Sequence, residues 1–149
     1  MDIENINITK LRLTNIERLD PIDVYPENFG KGQGQITITC YGKAWTAYWG
    51  GMGDQDINEF FCSCDEHYIA KNLSDIKAEV YDIEKIREDA EKKGVECYRD
   101  DPWNDYEFLN AMYGGDMMDW HDSLPKESNH EYEYLCRIIK AVQSALKQR

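Results

Sequence analysis

The chain has 149 residues, 42% of them hydrophobic and 12% aromatic, with a net charge of −12. That length suits one domain, expected to span residues 1–149, and the apolar content excludes a disordered chain. No stretch approaches the roughly 20 apolar residues that cross a bilayer, so no membrane is expected, and the N-terminal MDIENINITKLRL lacks the apolar centre of a secretory signal. Five cysteines, an odd number in no repeating frame, read as free thiols in a reducing, cytoplasmic setting.

The first half patterns as β structure. Leu11 and Leu13 alternate with Arg12 and Thr14, a period of two; Ile6 and Ile8 are out of phase with them, which suggests a bulge near Thr9 and Lys10. IDVYPENFGKGQG, with Pro26 and three glycines, reads as a loop or wide connection. In GQITITCYG, Ile36, Ile38 and Cys40 share one face of a strand. Gly42-Lys43 is expected to turn the chain into a partner strand whose faces carry Trp45, Ala47 and Trp49, or Ala44, Thr46 and Tyr48.

The second half patterns as helix. After Gly50, Gly51 and Gly53, Asp54 or Asp56 is placed to cap a helix. Its apolar face is Ile57, Phe60, Phe61, Cys64 and Tyr68, and it runs to about Asn72. A second helix carries Ile83, Ile86 and Ala90 and stops at Gly94. A third, YEFLNAMYGG, ends at Gly114 and Gly115. The last repeats Tyr132, Leu135, Ile139, Val142 and Leu146, with acids at its start and bases at its end, as the helix dipole favours. The fold class expected is α+β: an N-terminal antiparallel three-stranded meander packed by several C-terminal helices. The helices should cover one sheet face, either that of Trp45 and Trp49 or that of Tyr48.

Candidate chemistry is thin. Cys62, Cys64 and His67 in FFCSCDEHY offer soft ligands, yet on one helix Cys62 points about 200° away from Cys64, and a single Cys-x-Cys is an incomplete zinc set. Cys64 or Cys97 with His67, His121 or His130 is the thiol-enzyme alternative. GKGQG lacks the Gly-Lys-Ser/Thr of a phosphate loop and reads as a turn. The sequence therefore calls for no catalytic residues, no cofactor and no metal.

Charge is the stronger signal. From Arg99 to Glu133 there are ten acids and two bases, a net −8 in 35 residues. Such a field repels nucleic acid and attracts basic surfaces. The partner-binding candidates are Asp100, Asp101, Asp105, Asp116, Asp119 and Asp122, joined by Trp45 and Trp49 as interface anchors if those rings are exposed. With only Lys43 near the Trp and Tyr strand, direct nucleic-acid binding is not expected, and base stacking there is the lesser alternative.

Gly-Gln-Ile-Thr-Ile before Cys40-Tyr41-Gly42, then Ala44-Trp45, Tyr48-Trp49-Gly50, Met52-Gly53, Phe60-Phe61, Ser63-Cys64-Asp65 and His67-Tyr68 form a recognisable pattern. Across Gly30 to Leu73 the chain resembles a family of short, uncharacterised accessory proteins of tailed bacteriophages and prophages of enteric bacteria. The resemblance implies a small accessory phage protein made in the bacterial cytoplasm, and it brings no catalytic residues with it. Together with the acidity, it leads to the expectation of a non-enzymatic protein that binds a host or defence-system protein with a basic surface. The extreme form of that reading is a nucleic-acid mimic.

Overall fold

The computed structural model describes residues 1–114 and 120–149. In chain order the elements are β1 (Leu11–Leu13), β2 (Ile22–Gly30), β3 (Gln33–Cys40), β4 (Lys43–Trp49), α1 (Ile57–Ser63), α2 (Glu66–Leu73), β5 (Glu79–Tyr81), α3 (Ile83–Lys93), a 3-10 turn (Pro102–Asn104), α4 (Tyr106–Tyr113), α5 (Trp120–Ser123), β6 (Lys126–Ser128) and α6 (His130–Lys147). The fold is α+β, an antiparallel meander followed by helices. Contacts divide it into two compact units: residues 1–76 with 130–149, and residues 77–129.

The first unit holds the sheet, in the order β1-β2-β3-β4. It has four strands where the sequence suggested three, because IDVYPENFG is strand β2 and not a loop. Pro26 is the misleading residue. It lies two positions past Val24, where the pairing with β1 ends, so its missing N–H falls on an open edge that a proline tolerates. The hairpin turn is Tyr41-Gly42, not Gly42-Lys43: both turn residues have positive φ (42° and 80°), and Lys43 already pairs with Cys40. Two positive φ angles in succession match the right-handed twist of the flanking strands.

Register sets Val24 beside Ile38, Ile38 beside Trp45, and Ile36 beside Ala47. All five are buried, as is Trp49, while Tyr48 is 54% exposed. The covered sheet face is therefore that of the tryptophans. Alternation explains it: one face carries the apolar residues, and the other carries Thr37 and Thr46, whose hydroxyls pair at 2.9 Å.

The predicted helix from Ile57 to Asn72 is two helices. Cys64 is extended (φ −84°, ψ 151°) and Asp65 starts a new cap, its carboxylate accepting from the amides of His67 and Tyr68. Asp56 caps α1 in a reciprocal box with Glu59. Helix α6 lies against α1 and α2 and buries Leu135, Ile138, Ile139 and Val142 completely, each such side chain contributing about 1.5–3 kcal/mol.

The second unit is built on the antiparallel β5–β6 pair, with Tyr81 opposite Lys126. Asp82 caps α3 and Gly94 (φ 70°) ends it; Asp105 caps α4 and Gly114 ends that helix. The core joins Ile86 and Ala90 of α3 to Phe108, Leu109 and Met112 of α4, with Leu124.

Candidate functional site

Among the described acids singled out in the sequence, Asp100, Asp101 and Asp105 have partners inside the protein. Asp100 accepts from Arg87 at 2.7 Å. Asp101 accepts from Arg99 at 2.9 Å and from Asn104 at 3.3 Å, and these bonds hold its carboxyl below the ordinary range. Asp105 accepts from the Phe108 amide as a helix cap. Asp122 is exposed on α5, and Asp116 and Asp119 lie outside the described residues. Trp45 and Trp49 are 9% and 7% exposed, so they are core residues and offer no interface anchor.

The cysteine and histidine candidates are distributed differently from the sequence reading. His67 Nδ1 lies 2.8 Å from the Tyr132 hydroxyl and 4.0 Å from the Cys136 thiol, so its neighbours come from α6. The Cys62 thiol donates to the Gln143 carbonyl, and the Cys97 thiol to the Arg99 carbonyl. Burial pushes the thiols of Cys62, Cys64 and Cys136 upward, which disfavours the thiolate that a nucleophile requires. Among the described residues, no group of three His, Cys, Asp or Glu side chains is gathered as metal ligands would be.

A different constellation sits in the second unit. A groove of about 730 Å³ runs along residues 77–81 and is lined also by Trp103 and Lys126. Tyr81 is its fixed point. Trp103 stacks on it, with ring centroids 4.8 Å apart and planes at 27°. Its hydroxyl lies 2.9 Å from His121 Nδ1, Trp120 is tilted against it, and the Lys126 ammonium stands 5.9 Å over the ring. The 3-10 turn that carries Trp103 is tied by the Arg99–Asp101–Asn104 bonds. Asp101 thus has a structural task in presenting the aromatic groove.

Sequence reasoning missed this groove. Its residues are scattered from Lys77 to Lys126, and β5 and β6 have three residues each, too few for a periodic pattern. Tyr81 and Lys126 meet only through strand register.

The fold is that of a small α+β protein with its acids concentrated in one unit. A family model described as a phage family matches residues 1–148, and the chain belongs to that family; it is a phage protein. No curated protein and no solved structure matches it.

Proposed function

We propose that this phage protein is a non-enzymatic accessory factor that acts in the cytoplasm of an enteric host and binds a host or defence-system protein with a basic surface. The observation that supports this reading is the segregation of charge. Residues 77–129 hold 15 acids and seven bases, a net −8 over 53 residues, whereas the other 96 hold 14 acids and ten bases, a net −4. A small unit with that balance steers basic surfaces toward itself. The raised thiols of Cys62, Cys64 and Cys136 favour a binding role over a thiol enzyme.

The test is affinity capture of the tagged protein from host lysate at low and high salt, beside a variant with Glu84, Glu91, Glu107 and Glu127 changed to Gln. All four are exposed, and their replacement leaves the Asp100, Asp101 and Asp105 bonds intact. A stoichiometric basic partner, weakened by salt and by the variant, is the expected result. Equal capture by both proteins at both salt concentrations overturns the reading.

A further inference from the structure

The groove of the second unit has properties that the docking of a basic protein does not use. Lys77 and Lys126 both line it. In a unit with 15 acids and seven bases, Lys85, Arg87 and Arg99 are each ion-paired to a carboxylate. Among the described residues, neither groove lysine has a carboxylate within 4.0 Å of its ammonium. Two lysines without a carboxylate partner among the described residues, as Lys92 and Lys93 of α3 also are but here brought to one opening in an otherwise acidic unit, suit an anion. Beside them Trp103 and Tyr81 form a planar stack that a further aromatic ring extends. Glu79, also in the lining and exposed, supplies an acceptor for N–H or O–H groups. The volume falls within the range of small-molecule sites, about 300–1,000 Å³.

The ligand chemistry these groups share is a planar ring that bears an anion and carries donors. We propose that the groove is a binding site for a nucleoside monophosphate: the base stacks on Trp103, the phosphate lies between Lys77 and Lys126, and Glu79 accepts from the sugar or from a base amine. The site takes a single nucleotide and not a strand. One aromatic platform and two lysines serve one residue of a nucleic acid, and the net −8 of the unit repels the phosphates that follow. The Tyr81 platform is held in advance by Trp103 and His121, so ligand ordering carries little of the cost of binding.

The test is NMR titration of the purified full chain with AMP, GMP, CMP and UMP. It reads the Trp103 indole N–H, assigned by its loss in Trp103→Leu, and the Tyr81 amide. Expected are saturable shifts of both signals with at least one monophosphate. The matching nucleoside, inorganic phosphate and indole-3-acetate should each bind about tenfold more weakly or worse, the scale of losing one stacking or charge contact. The double variant Lys77→Gln/Lys126→Gln alters only exposed side chains and should weaken binding by a similar factor with its thermal midpoint unchanged. The proposal is overturned if no monophosphate moves the Trp103 signal, or if the lysine variant binds as well as the native protein. It is equally overturned if indole-3-acetate matches the monophosphates, which makes the site one for any aromatic anion, or if oligo(dT) binds more tightly than they do. The titration uses no protein partner, so its failure leaves the partner-binding reading standing, and the reverse holds too.

Discussion

A Cβ added to Gly34 would stand 2.9 Å from the Cβ of Ile57 and 3.0 Å from the Glu27 carbonyl oxygen. The glycine is buried in β3, and its bare backbone is what lets α1 lie this close to the sheet. Its conformation is not left-handed, so the requirement is one of space alone. Gly34→Ala should destabilise the protein by about 1–3 kcal/mol through overpacking. A urea midpoint equal to that of the native chain would mean that α1 shifts freely.

Tyr134 donates its hydroxyl to Asp20 at 2.7 Å and lies 3.8 Å from the Cys40 thiol. Burial, and then the bond to Asp20, push its ionisation up to about 12, from the ordinary 10. A group whose folded pKa is raised contributes stability that is complete below its unfolded pKa and lost as pH climbs through the folded one. Stability should therefore fall between about pH 10 and 12, and Tyr134→Phe should flatten that fall. Denaturant midpoints measured across this range decide it; parallel curves for the two proteins would refute the assignment.

Where the pattern was local, the sequence was readable. The alternation through Ile36, Ile38 and Cys40 gave β3, and the three- and four-residue repeat of Leu135, Ile139 and Val142 gave α6. Gly94 and Gly114 marked helix ends through their own backbone chemistry. What escaped depended on distant partners. Pro26 argued against a strand until β1 proved to stop short of it. The break at Cys64 interrupts no apolar pattern, because Phe61 and Ile69 are buried on either side of it. The groove escaped for the same reason, since nothing near Tyr81 in sequence announces Trp103.

That break has its own support. Gln143 of α6 donates its amide to the carbonyl oxygens of both Phe61, at 2.9 Å, and Cys64, at 2.8 Å. Both oxygens belong to the end of α1, where no further helical turn accepts that duty. Gln143→Leu should cost about 1–3 kcal/mol by leaving them unpaired. Ile139→Ala, one turn earlier and fully buried, should cost about 2–5 kcal/mol through the cavity it leaves. Thermal unfolding of both variants checks the pair, and an unshifted midpoint for Ile139→Ala would place that side chain in solvent.

Asp101 separates two meanings of the acidic stretch. If it serves only as surface charge, Asp101→Asn should change salt-dependent partner binding and nothing else. The bonds from Arg99 and Asn104 give it another role, since they bracket Pro102 and Trp103 and hold the turn that sets the indole on Tyr81. Its carboxyl lies below the ordinary value because Arg99 and then Asn104 favour the charged form. The hold is therefore complete above the unfolded value of 3.8 and weakens as pH falls through the lower, folded one. Asp101→Ala should reduce the near-ultraviolet circular dichroism of the stacked rings at neutral pH, and acidification of the native protein should reproduce part of that loss. Asp122→Ala removes the same charge from an exposed position on α5 and should leave the signal intact. Equal spectra for the two variants would show that the turn keeps its shape without Asp101, and that its charge faces outward after all.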